Sequence, residues 1–307
     1  MLSLLLFQQI AQMFLALLMG FALVRCRLLS SDDSKVLSKV VLYVISPCVI
    51  INSYQIQLTS ERLHGMLLAF GAALVTHLLF VLLTTFLKRP LHLVPVEQAS
   101  LVYSNAANLT IPIVTAILGK EYVIYISMYI IVQLFLLWSH GRLLLSGESQ
   151  FSWKRVLLNI NIISICIGAA LFFLQLPLPG IVANALQSVG NMIGPLTMVV
   201  AGMLMGGADL PKIVKTPGIW KVSVLRLIVY PLAVVAAMRL SGAARLLPDG
   251  ATILLVSLLS SVTPSAAVIT QLAQIYCDES EYAGAINVVT TVLCLVTIPV
   301  MVALYQL

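Results

Sequence analysis

Two short clusters of small polar residues interrupt otherwise apolar sequence, each around a proline. One reads Ser104-Asn105-Ala106-Ala107-Asn108-Leu109-Thr110-Ile111-Pro112, the other Ser260-Ser261-Val262-Thr263-Pro264-Ser265. Their side chains are amides and hydroxyls, which exchange hydrogen bonds without taking up or releasing protons. Each proline removes an amide donor and disturbs the turn before it. Unpaired backbone groups then lie beside polar side chains, and the start of a resumed helix favours an anion. The candidate ligand contacts are Asn105, Asn108, Thr110, Ser261, Thr263 and Ser265, with Pro112 and Pro264 as the breaks. Asn105 and Asn108 lie three apart and share a face on an intact turn. The plainer alternatives are asparagines that satisfy broken-helix carbonyls, and serines and threonines that bond back to their own helix.

Arg226 stands within a long apolar run. A guanidinium in such a run is costly and needs a function or a partner. It attracts an anion, joins an ion or hydrogen-bond pair, or snorkels to the surface. The acids Glu97, Asp209 and Asp249 lie near run ends rather than centres. His64, His77, His92 and His140 show no metal-ligand spacing, so His77 reads as a packing or hydrogen-bonding residue and no metal site is expected. No G-x-S-x-G, Walker or H-E-x-x-H sequence occurs, so neither an enzyme nor a nucleotide-driven pump is expected. The five cysteines, Cys26, Cys48, Cys166, Cys277 and Cys294, contain no C-x-x-C pair and read as free thiols in an apolar interior.

The elements that must hold these residues are membrane spans. The chain has 307 residues, 61% hydrophobic and 9% charged; globular proteins run at about 45–50% and about 25%. A span with its share of loop uses about 30 residues, which gives about ten. The apolar runs are Leu4–Val24, Val36–Ile56, Leu63–Leu87, Glu97–Leu118, Tyr122–Leu144, Val156–Leu174, Ile181–Gly206, Pro217–Arg239, Gly250–Gln274 and Tyr282–Tyr305. They are too long for lipid-facing strands and do not alternate, so an all-α polytopic membrane protein is expected. No soluble domain is expected beside them. The first run has no basic residues before it and reads as a retained span rather than a cleaved leader.

The net charge of +6 is a matter of orientation. Odd-numbered connections and their flanks carry Arg25, Arg27, Lys35, Lys39, Lys88, Arg89, Arg142, Lys154, Arg155, Lys212, Lys215 and Lys221, which is twelve; even-numbered ones carry Arg62, Lys120, Arg239 and Arg245, which is four. The basic side is cytoplasmic, so both termini are extracytoplasmic, in the cell membrane. The partner of the positive charge is the lipid bilayer, and no nucleic acid is needed to explain it.

The two clusters fall in the fourth and ninth runs, and Pro112 and Pro264 lie 152 residues apart. Pro47 and Pro195, in the second and seventh, lie 148 apart. Five is odd, so a second five-span unit inserts upside down. Interrupted spans at matching places in two halves are the mark of an inverted-repeat transporter. The expected halves are 1–144 and 156–307, joined by a short cytoplasmic linker at 145–155.

At these residues the chain resembles the auxin efflux carrier family, which includes plant auxin exporters and bacterial permeases. The likeness runs through Leu37-Ser38-Lys39 to Ser46-Pro47-Cys48, through Asn105 seven residues before Pro112, through Pro264, Ala273 and Tyr276 at spacings of nine and twelve, and through Tyr282 to Pro299. It implies ten transmembrane helices in two inverted five-helix repeats, as in bile-acid symporters and sodium/proton antiporters. Spans one, two, six and seven would form a scaffold, and spans three to five and eight to ten a transport part. Helices four and nine would cross at Pro112 and Pro264, with Asn105 contacting the carboxylate of a small organic anion. The resemblance leaves open a homodimer. The short central linker departs from the plant exporters, so auxin itself is a poor expectation. With neutral groups at the crossing no cofactor is expected; a coupling sodium ion or proton stays open, as do uniport and exchange. The expected function is secondary transport of mono- or dicarboxylates by alternating access. The alternative is a membrane-embedded receptor that binds such an anion without moving it.

Overall fold

The computed structural model describes residues 2–147, 154, 157–209, 211, 213, 215–277 and 279–307, without the side chains of residues 2–10 and Gln274. Most of the expected linker at 145–155 lies outside these residues. The described residues form helices at every predicted apolar run: α1 (Leu2–Arg25), α2 (Ser31–Ser53), α3 (Ser60–Leu87), α4 (Pro95–Val102), α5 (Ala106–Ile117), α6 (Lys120–Ser146), α7 (Ile160–Phe173), α8 (Gly180–Gly207), α9 (Pro217–Ser241), α10 (Gly250–Ser261), α11 (Ala267–Tyr276) and α12 (Ser280–Gln306). The fourth and ninth runs are each two helices. The cause is local: Tyr103 and Ala266 are extended, with φ −99°, ψ 127° and φ −66°, ψ 129°. Helix starts follow the sequence. Thr59 accepts from the Arg62 amide at 3.3 Å to open α3, and Asn159 accepts from the Asn161 amide at 3.0 Å to open α7.

Among the described residues six helices are long and apolar enough to cross a membrane: α2, α3, α6, α8, α9 and α12. Shorter apolar segments are Ala11–Arg25, α5, α7 and α10. Large apolar side chains face outward along them. Leu67, Val75 and Phe86 on α3 and Val296 on α12 are more than half exposed, and an aqueous surface does not carry apolar cover on this scale. The chain is a multi-pass membrane protein.

The helices pack in two groups. In one, α1 lies along the second half of α8, while α7 and the first half of α8 pack on α2. In the other, α3 packs against α6 and α10, and α12 against α9 and α11. The α1–α8 pair is held by close backbone approach. A β-carbon at Gly202 would stand 1.9 Å from the Leu17 carbonyl oxygen, and one at Gly20 2.1 Å from that of Val199. The Gly202/Gly206 face is therefore filled from within the chain. All five cysteines are free, but Cys26 and Cys166 are exposed on the surface, which corrects their expected interior placement. Cys166 sits on the apolar helix α7, where the outer surface is as hospitable to a thiol as the core, and Cys26 lies in the turn just after α1.

Candidate functional site

The two broken helices meet in the core. Ser104 and Ser265 form an antiparallel bridge. Beside it the Asn105 amide donates to the Pro264 carbonyl at 2.9 Å, and the Ala266 amide to the Tyr103 carbonyl at 3.0 Å. Pro264 has no amide to lose here, because its part in the bridge is to accept. In such a pair the bridged residues turn their own N–H and C=O away from one another. Inside a membrane those groups need partners.

Side chains supply them on both sides. Gln133 of α6 accepts from the Ser104 amide at 3.1 Å and hydroxyl at 2.6 Å, and donates to the Ser104 carbonyl at 2.8 Å. On the other side Asn287 of α12 donates to the Ser265 carbonyl, and Thr290 accepts from the Ser265 amide at 3.2 Å. One amide does on α6 what an amide and a hydroxyl do together on α12.

Arg226 is fully buried, in the wide turn Leu225–Val229 of α9. It donates to the carbonyls of Leu101 (2.7 Å), Ser261 (3.0 Å) and Thr263 (3.1 and 3.2 Å), and lies over the Phe80 ring, 5.2 Å from its centroid. Leu101 is in the last turn of α4, Ser261 ends α10, and Thr263 lies two residues past that end. Among the described residues no acidic side chain pairs with it. One cation thus covers the carbonyl ends of both incoming half-helices, where their dipoles are negative. The outgoing halves, α5 and α11, begin at the bridge with their positive ends facing it. The field at the crossing favours an anion.

The sequence-derived residues divide by exposure and by partner. Asn105 and Asn108 are half-buried on one face, and the Asn108 amide donates to the Asn105 carbonyl oxygen at 3.1 Å. The Asn108 carbonyl oxygen, the Thr110 hydroxyl and the Ser265 hydroxyl are buried without a partner. Ser261 and Thr263 bond back to Leu258 and Ser260 carbonyls at 2.7 and 2.9 Å. Pro264 stands in the bridge; Pro112 is the second residue of the regular part of α5, beyond it. Sequence reasoning missed Gln133, Asn287 and Thr290. Their signal was an amide or hydroxyl in the middle of an apolar run, the same oddity that singled out Arg226. His77 donates from Nδ1 to the Ala73 carbonyl, 2.8 Å away, and its ring packs on Tyr129, 4.6 Å between centroids. Among the described residues no group of three or more His, Cys, Asp or Glu is placed to hold a metal ion.

Comparison with known families finds a match to the family described as membrane transport protein, over residues 5–151 and 148–302. Comparison with curated proteins finds no match.

Proposed function

The chain belongs to the membrane transport protein family, of the auxin efflux carrier type, and on that premise we propose that it is a secondary transporter of small organic anions working by alternating access. The observation that carries this is the crossing itself. Two half-helix N-termini face a bridge whose backbone is fully partnered, while Arg226 covers the opposing carbonyl ends. What is left to interact with a ligand is positive field, the paired amides of Asn105 and Asn108, and the free hydroxyls of Thr110 and Ser265. These are groups for a carboxylate.

On this reading the helices are ten spans in two inverted five-span repeats, α4 with α5 and α10 with α11 each counting as one. The group of α1, α2, α7 and α8 is the scaffold, and the rest is the moving part. Both termini face the extracytoplasmic side of the cell membrane. An anion leaving a cell with a negative interior gains about 2.3 kcal/mol per charge per 100 mV, so no attached motor is needed.

The test is counterflow in proteoliposomes holding the purified full chain and preloaded with mono- or dicarboxylates. Saturable exchange that falls in Asn105→Ala, with unchanged melting temperature, supports the reading. Saturable carboxylate binding with no exchange or flux makes the protein a receptor instead.

A further inference from the structure

A cavity of about 230 Å³ opens between α2, α5 and α8 and reaches Pro112. Its polar wall is an ordered chain of amides. Asn52 donates to the Gln187 carbonyl oxygen at 2.7 Å, and Gln187 donates to that of Asn191 at 2.7 Å, which leaves the Asn191 amino group as the donor end. Across from it on α5, the Thr115 hydroxyl has no partner. At Gly194 the backbone of α8 comes against α5: a β-carbon there would stand 3.1 Å from the Pro112 Cβ. A larger side chain would fill the cleft where it meets the broken helix.

Two residues of opposite charge stand side by side at the start of α6. Lys120 lines this cleft, and no acidic side chain does. Its neighbour Glu121 lines a separate cavity with Glu61, Asp249 and a single base, Arg62, so acids outnumber bases there. Adjacent residues of opposite sign thus face different openings, and the one lined by Lys120 and no acid reaches the broken helix α5 at Pro112.

We infer that the cleft between α2, α5 and α8 is the path by which a small carboxylate reaches the crossing from the face where Lys120 lies. Lys120 recruits the anion; Thr115 and the Asn52–Gln187–Asn191 chain form the polar wall along which it passes. A volume of about 230 Å³ suits a ligand of a few heavy atoms and lies below the size of drug-sized sites. The inference rests on the organic-anion reading, and its test does not require transport to be observed.

The full chain, with its five native cysteines replaced and Thr115→Cys added, is reconstituted in liposomes. Membrane-impermeant methanethiosulfonates, one anionic and one cationic, are applied to each face in turn. The thiol should react from the Lys120 face, and a variant that keeps only Cys26 serves as the reference for effects that do not come from Lys120. Lys120→Gln should lower the anionic-to-cationic rate ratio about fivefold, the size expected of one nearby charge in a wet cleft, and Lys120→Arg should keep it. The Cys26 ratio should not change. No reaction from the Lys120 face, or a ratio indifferent to Lys120→Gln, overturns the inference. The labelling pattern as expected, in vesicles that show no carboxylate exchange, upholds the path and overturns the transport reading.

Discussion

Arg226 donates to the Leu101 carbonyl at 2.7 Å, so a side chain of α9 closes the end of α4. The same guanidinium reaches the end of α10 through Ser261 and Thr263. Three carbonyls therefore depend on one planar fork, which no ammonium reproduces. Arg226→Gln leaves at least one of them unpaired in a dry site, at a cost of about 3 kcal/mol. The expected result is a large fall in melting temperature or loss of monodisperse protein in detergent, with Arg226→Lys intermediate. A Gln variant melting as the parent does would show that the carbonyls have other partners.

Gln133 supports the other side of the bridge. It serves the amide, the carbonyl and the hydroxyl of Ser104 at once. Gln133→Leu keeps the bulk and removes all three, so a loss of about 2 kcal/mol is expected from the orphaned backbone groups. Asn287→Leu removes a single bond, to Ser265, and should cost less. Melting curves of the two variants rank them; equal losses, or a larger loss at Asn287, would contradict the assignment.

Much of the fold is legible in the sequence because lipid imposes one rule on every run: the backbone must bond within its own segment. The helices of α3, α9 and α12 begin within a few residues of the predicted runs for that reason. The breaks were legible as prolines among polar residues. The place of the meeting was not. Pro112 and Pro264 are matched in spacing, yet the bridge joins Ser104 to Ser265, and Pro112 lies a turn or more beyond it. Proline marks where a helix is weakened, while the backbone pairing depends on which extended residues the two halves bring together. The partners of Arg226 were hidden for a related reason: carbonyls belong to every residue and leave no trace in composition.

Asn105 and Asn108 are half-buried and joined amide to amide. Removing a half-buried partner costs the fold little, since water can replace its hydrogen bond. Asn105→Ala should weaken carboxylate binding about tenfold, the worth of one hydrogen bond to a charged group, and leave the melting temperature within a few degrees. Asn105→Asp places a like charge against the anion and should weaken binding further. Equilibrium binding of a labelled carboxylate reads both. An Asp variant that binds as well as the Ala variant would remove Asn105 from the contact set.

Glu97 is buried at the start of α4, where its carboxylate accepts from Lys221 of α9 at 2.9 Å and from Tyr282 of α12 at 2.7 Å. It ties three helices of one packed group together. Glu97→Gln keeps the shape and removes the charge opposite Lys221, whose side chain is 29% exposed, so water softens the loss to about 2 kcal/mol. Lys221→Met in the Glu97→Gln background should recover part of it, because the uncompensated cation is then gone. Melting temperatures of the single and double variants decide; strict additivity would show that the pair is not coupled.

Gly202 and Gly20 let α1 and α8 touch along their backbones, with a β-carbon at Gly202 only 1.9 Å from the Leu17 carbonyl oxygen. Backbone cannot yield as a flexible side chain does, so the helices must separate. Gly202→Ala should therefore destabilise the chain by about 1–3 kcal/mol, the usual cost of overpacking. Small residues at this spacing also serve contacts between chains, and the two roles separate by measurement. Because α1 already occupies the face, Gly202→Ala should lower the melting temperature without changing the mass of the protein–detergent particle by light scattering. A variant that changes the oligomeric mass while keeping the parent melting temperature would place the Gly202 face between copies of the chain.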